Sequence, residues 1–477
     1  MSPRPQSLAP LQFPAFRLLA TGRLITMLGN AVAPIALAFA VLDLTGSARD
    51  LGLVVGARSL MNVVFLLVGG VVADRLPRHL VMVVSGVVAA LTQTAVAATV
   101  LSGTATIGWL MALSAINGTA TAFAFPAAAA LVPQTVPADL LQQANALNRM
   151  GINAAMIAGA SLGGILVAAV GPGWGLAVDA MTFFLASVCF YLVRTTAAPR
   201  PKATTHPLRD LRDGWREFTS RTWLWSIVLG FMVLNFAHAA VIGVLGPVIA
   251  DDTIGRRAWG FVLAAETLGM VLGAVVALRL RVNRMLRLGV ICMLAEVPLF
   301  VAMAWEPRVA VLIPAAMLAG LGVEQFGVAW ESTMQRYIPD DVLARVYSYD
   351  ALGSFLAIPL GQTLAGPAAL AWGVDTTVMA AAGVSVVAVA FMLWFRDVRT
   401  LPASPSPARS PAVGEGLGAA SEGDQRVAEE VRDEVDEEEA EEQHVHDQQH
   451  VVPRPGTGGL GQLAVQVNQQ EREDQRP

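Results

Sequence analysis

The first residues of this sequence that could do chemistry are ionisable side chains inside long apolar stretches. Arg58, Glu266, Glu296 and Glu324 each lie within such a run, and Glu331 follows Glu324 by two helical turns on the same face. A charge near mid-bilayer costs roughly 2.5–3.5 kcal/mol on insertion scales, so it persists where it has a partner, a wet cavity or a function. The work open to a buried carboxylate there is the uptake and release of a proton. Glu266 and Glu324 have the most apolar neighbours and are the leading candidates, a static ion pair or hydrogen-bonded acid being the alternative for each. His238, near Asn235, is the imidazole inside a run; it could titrate near neutral pH, although a lone histidine is more often a hydrogen-bonded packing residue. Asp179 lies close enough to the end of its run for snorkelling to account for it. Arg149 and Asp350 fall a turn or two inside two further runs and are read as interdomain partners.

These residues need apolar helices to hold them. Lipid supplies no partner for backbone N–H and C=O groups, so a crossing segment is a helix of about 20 apolar residues. Twelve such runs lie near residues 16–44, 51–73, 80–101, 107–132, 141–170, 174–193, 223–250, 259–278, 286–305, 309–334, 342–371 and 376–395. The composition agrees: 55% of the 477 residues are apolar and 14% are charged, where a soluble chain carries about 25% charged. Mean hydropathy is +0.56. The expected fold is therefore all-α: a polytopic membrane protein of twelve transmembrane helices. Cys189 and Cys292 sit in apolar runs as small fillers, and no phosphate loop, zinc spacing or nucleophile elbow occurs. An enzyme, a cofactor, a metal site and a nucleic-acid partner are not expected.

Arginine falls on one side of these runs: Arg75 and Arg78, the long central loop, Arg279 to Arg287, Arg336, Arg345, Arg396 and Arg399, against Arg49, Arg256, Arg257 and Arg308 on the other. The positive-inside rule then makes both termini cytoplasmic. One lysine against 31 arginines suits a GC-rich bacterial genome, hence a bacterial plasma membrane. The expected organisation is a cytoplasmic N-terminus (1–13), an N-terminal six-helix bundle (14–195), a cytoplasmic linker (196–221), a C-terminal six-helix bundle (222–397) and a disordered acidic tail (398–477). Within the linker, Leu208, Leu211, Trp215 and Phe218 share one helical face and read as an interfacial helix over 208–218. From Arg399 onward 17 acids face seven arginines, so the net charge of −5 belongs to the tail, whose composition cannot bury a core. Three spaced histidines there, His444, His446 and His450, are read as carrying no metal.

The division into halves rests on an internal repeat. Pro137, Asp139, Leu141 and Gly151 find Pro339, Asp341, Leu343 and Gly353 at a constant shift of 202, shared by Gly118 with Gly320 and Gly159 with Gly361. In the second run of each half, Gly52 and Leu60 match Gly260 and Leu268 at a shift of 208. Arg58 and Glu266 differ by the same 208, so they hold equivalent places with opposite sign, and a partnership between them is expected.

Between the second and third runs stands Gly70-Val-Val-Ala73-Asp74-Arg75-Leu-Pro77-Arg78-His79. Here the chain resembles the major facilitator superfamily, whose loop signature reads G-x-L-A-D-R-x-G-R-K; Pro77 replaces the second glycine and His79 the lysine. Pro77, the flank Leu44 to Ser47, and Trp330, Glu331 and Gln335 look like its macrolide-efflux and enterobactin-exporter type branch. The resemblance implies two pseudo-symmetric six-helix bundles, with Gly70, Asp74, Arg75 and Arg78 as a conformational clasp; positive-inside anchoring is the plainer account of the arginines. It also implies a central cavity lined by helices 1, 4, 7 and 10. On this chain that places Asn30, Asn117, Asn235, His238, Glu324 and Gln325 as polar contacts, with Phe39, Phe123, Phe236 and Phe326 as apolar wall. The implied activity is export of a small apolar or amphipathic compound by alternating access, with protons as the coupling ion and the chain acting as a monomer. Two departures weigh against the coupling: helix 4 has Ser114 where the family's motif has arginine, and Gly159-Ala-Ser-Leu-Gly163 lacks the proline of the helix 5 antiporter motif. A proton-coupled importer, or a transport-inactive sensor or assembly protein, remains open at this point.

Overall fold

The computed structural model describes residues 6–193, 215–280 and 282–402; the side chains of residues 6–7, 67–75, 125–126, 129–130, 138, 340–341 and 344–345 lie outside the described set. All described residues belong to one unit, Met1–Pro405. The tail beyond residue 402 and the linker up to residue 214 are outside the description. Residues 215–220 are helical, and there Trp215 and Phe218 stack on each other and pack against Tyr349.

Twelve long helical segments follow in order: α1 (Pro14–Thr45), α2 (Ala48–Arg75), α3 (Arg78–Leu101), α4 (Ile107–Leu131), α5 (Leu141–Val170), α6 (Pro172–Leu192), α7 (Thr222–Asp252), α8 (Arg256–Arg279), α9 (Met285–Trp305), α10 (Val309–Tyr337), α11 (Asp340–Phe355 and Ile358–Trp372) and α12 (Val374–Trp394). Eleven carry a stretch long and apolar enough to cross a membrane; α2, with 28 residues, is the twelfth. Among the described residues there is no strand.

Local irregularities have local causes. Pro298 has no N–H to return to the preceding turn, and α9 tightens to a 3-10 turn over Met293–Glu296 just before it. Pro359 likewise follows the break in α11. A π-turn over Val241–Leu245 interrupts α7 ahead of Gly246, which lies against the indole of Trp259. Helix hairpins turn on left-handed glycines such as Gly171 (φ 90°) and Gly373 (φ 86°), which stand 202 residues apart in equivalent turns.

Packing repeats between the halves. In the first, α1 packs on α5 and α6, α2 on α4, and α3 on α4 and α6; in the second, α7 packs on α11 and α12, α8 on α10, and α9 on α10 and α12. The equivalence reaches single atoms. A Cβ on Gly118 would strike the Arg58 carbonyl, and one on Gly320 the Glu266 carbonyl. Gly159 lies on the carbonyl of Leu28, Gly361 on that of Phe236. Helices cross this closely only where a hydrogen replaces the side chain. Between the halves the seams are α2 against α11 and α5 against α8, closest where Gly52 meets the Gln362 carbonyl and Gly260 that of Ala160.

The two ends of the molecule differ. At the far end, where α1 meets α2 and α7 meets α8, one apolar cluster runs through both bundles and includes Phe39, Leu51, Val244, Trp259, Phe300 and Leu312. At the terminal end, where α1 begins and α12 finishes, each bundle keeps its own cluster, around Phe16 and Leu131 in one and around Trp223, Phe326 and Met392 in the other. Among the described residues the apolar cluster shared by both halves therefore lies at the far end, and each bundle has a separate one at the terminal end.

Candidate functional site

Each bundle contains a cavity between its helices. In the C-terminal half a space of about 220 Å3 is bounded by His238 and Asn235 of α7, Glu266 of α8 and Glu296 of α9, with Phe231, Met270, Met293 and Val323 closing it. The 3-10 turn ahead of Pro298 sets Glu296 at the end of that turn, 3% exposed, where its Oε1 lies 2.5 Å from His238 Nδ1. Glu266 is within electrostatic reach of both. Two acids and one base thus lie together on the wall of one cavity, the His238 side chain 38% exposed. Asn235 donates to the Ser354 carbonyl at 2.9 Å, which ties α7 to α11 at the cavity wall.

The N-terminal half holds a larger cavity of about 390 Å3, lined by Arg23, Thr26 and Asn30 of α1, Asn62 of α2, Ser85 of α3, and Phe183 and Phe190 of α6, among others. Asn62 is held by the Gly118 carbonyl and Thr121 Oγ1 at 3.3 and 3.0 Å. Asn30 Oδ1 is buried with no hydrogen-bond partner.

Two sets of charges link the halves. Arg149 of α5 reaches Glu324 of α10 at 3.4 Å, its own side chain 72% exposed. At the far end Arg256 binds two carboxylates, Asp43 of α1 at 3.0 Å through Nη1 and Asp251 of α7 at 2.8 Å through Nε, and lies 4.8 Å over the Phe39 ring. Asp43 and Asp251 are 208 residues apart, so symmetry mates share one arginine.

Several expectations change. Arg58 and Glu266 do not pair: Arg58 feels Asp179 within its own half, and Glu266 faces His238 and Glu296. Their backbones occupy equivalent crossings, α2 with α4 and α8 with α10, and equivalence places them in separate bundles rather than face to face. Asp179 does not snorkel; it is 1% exposed, because Gly29 lets α1 close over it and Thr182. Arg149 meets Glu324 rather than Asp350, whose carboxylate accepts from Trp330 Nε1 at 3.0 Å and Ser354 Oγ at 3.3 Å inside the C-terminal half. Asn117 is buried among α3 groups, bonded to Thr92 Oγ1 at 3.3 Å. Gln325 donates to the Gly273 carbonyl at 2.5 Å, and Phe326 stacks between Phe231 and Trp330, so both pack α10 instead of lining a described cavity. Phe39 is a fully buried core residue at the far end. Glu331 is exposed and accepts from Gln335 at 3.3 Å. Arg78 opens α3 half-buried; the surroundings of Gly70 and the side chains of Asp74 and Arg75, at the end of α2, lie outside the description.

Arg23 and the Asp43–Arg256–Asp251 group escape a reading that searches only the middles of runs. The signals were present: an arginine inside the first run, and two aspartates at the repeat shift.

Comparison with known proteins follows this geometry. Residues 5–448 match the family described as a transmembrane secretion effector. The enterobactin exporter EntS of Escherichia coli O1:K1 / APEC is 25% identical over 369 residues, covering 74% of this chain and 86% of that one; its counterpart in Shigella boydii serotype 18 gives the same figures. Among solved structures, the nucleoside transporter NupG superposes with a TM-score of 0.63 at 14% identity, over 80% of this chain and 99% of that one. A bacterial homolog of the human lysosomal transporter Spinster, inward-facing and occupied, gives 0.63 at 16% identity over 83% and 99%.

Proposed function

Because the chain belongs to the transmembrane secretion effector family of major facilitator transporters, we propose that it exports a small apolar or amphipathic compound from a bacterial cell by proton antiport. The observation that carries the coupling is the trio of His238, Glu296 and Glu266 on the wall of the C-terminal cavity. The arginine bias of the loops favours a cytoplasmic terminal end, where each bundle has its own apolar cluster. Substrate enters there as the trio gives up a proton. The bundles then rock, the terminal end closing with the Asp74, Arg75 and Arg78 segment as clasp while the seams of α2 with α11 and α5 with α8 open. Proton uptake by the trio from outside neutralises it and resets the cycle. Export rather than import is favoured by the enterobactin exporters among the relatives.

The test is a resistance and accumulation panel over chemically diverse compounds in a pump-deficient host. Wild type should lower the accumulation of at least one compound, an uncoupler should abolish the effect, and Glu266→Gln should behave as the uncoupled protein does. Accumulation raised by wild type would identify an importer; flux indifferent to both uncoupler and Glu266→Gln would remove the proton from the mechanism.

A further inference from the structure

The N-terminal cavity contains a charge that no protein group answers. Arg23 lies nine residues into α1, about 13 Å along the helix from its first residue at 1.5 Å per residue. It lines the cavity of about 390 Å3 together with Thr26, Asn30, Asn62, Phe183 and Phe190. Among the described residues no ion pair or hydrogen bond holds its guanidinium. Two other arginines of this half lie at comparable depth, and both are answered: Arg58 has Asp179 within electrostatic reach, and Arg149 has Glu324 at 3.4 Å. A guanidinium keeps its charge throughout, and in an apolar setting it needs an anion, which its planar fork binds in bidentate fashion when the anion is a carboxylate. The repeat sharpens the point: the position equivalent to Arg23 in the second half is Phe231, so nothing in the shared architecture requires a cation there.

Resting on the export reading above, we infer that the N-terminal cavity binds an organic anion, Arg23 gripping its carboxylate while Phe183 and Phe190 receive its apolar body. Asn30, whose Oδ1 has no partner, accepts a hydrogen bond from a donor on the same molecule. The transported class is then the amphipathic acid, and the neutral or cationic amphiphile of equal size is discriminated against because it leaves the guanidinium unanswered.

The experiment uses the full-length protein in lipid nanodiscs and three probes with one apolar body: 2-naphthoate, 2-naphthamide and 2-naphthylmethylammonium. Binding is measured by calorimetry for wild type, Arg23→Gln, Arg23→Lys and Phe183→Ala, each first shown monodisperse. Wild type should prefer naphthoate over naphthamide by about 10- to 100-fold, the range of a charge-assisted contact. Arg23→Gln should erase that preference, Arg23→Lys should keep most of it, and Phe183→Ala should weaken all three probes without changing their order. A wild-type preference for the amide or the ammonium, binding of none of the three, or a carboxylate preference that survives in Arg23→Gln overturns the inference. Arg23-dependent naphthoate binding in a protein that exports nothing would leave the anion site standing and defeat the export reading. Export of neutral compounds with flux indifferent to Arg23 would do the reverse.

Discussion

The two halves place cavities at equivalent stations and furnish them with opposite charge. Asn30 and His238 correspond, as do Arg58 and Glu266, and Arg23 and Phe231, each at the shift of 208. The first cavity presents one unanswered guanidinium; the second presents two carboxylates around one imidazole. Backbone crossings are copied down to the carbonyl that each glycine touches, whereas the ionisable side chains have diverged. Duplication has kept what lets helices approach and has released what a cavity holds, which is what the proposed division of labour between a cargo half and a proton half requires.

The largest effect should come from breaking what the halves share. Gly118→Leu and Gly320→Leu each push a side chain into a backbone carbonyl that cannot step aside, at a cost of about 3 kcal/mol or more. Both should fail as monodisperse protein or melt much earlier in detergent, and a benign Gly320→Leu would break the equivalence. Next comes the difference between the halves. His238→Asn gives the second cavity the residue of the first, and proton-driven flux in proteoliposomes should fall about 100-fold or more, the low end of what a positioned proton-transfer group contributes. The reciprocal Asn30→His should create no coupling; if it raised the response to a pH gradient, the division of labour would be wrong.

Smaller effects follow at the ends. Arg256→Ala removes partly exposed pairs contributing about 1 kcal/mol at most, so a cysteine placed at Ala48 in a Cys189, Cys292-free protein should label several-fold faster from the far end. Unchanged labelling would mean that the apolar cluster alone seals it. The smallest is Glu331→Gln, where exposure predicts less than about 0.5 kcal/mol in melting and no change in flux.

The sequence disclosed the helices, their number and their duplication, because lipid forces long apolar runs and a repeat leaves constant shifts. It also picked out Glu266 and Glu296 by depth alone. What it could not disclose was who faces whom. Arg58 and Glu266 share a shift, but a shift gives equivalence, not contact, and whether Arg149 meets Glu324 or Asp350 depends on how two bundles lie together. Asn117, Gln325 and Phe326 have the composition of cavity residues, yet helix rotation turns them into the packing of α4 and α10. Arg23 was missed for a different reason: it lies close enough to the end of the first run to be taken as part of the flank.

The arrangement at Arg256 fixes where the molecule must fracture. One arginine cannot be divided between Asp43 and Asp251 when the bundles separate, and Asp251 stands five residues from it on the same side of the seam. If the bundles part there as proposed, the rupture falls on the bond to Asp43, and the lips that separate are unequal, a bare carboxylate on one and a satisfied pair on the other.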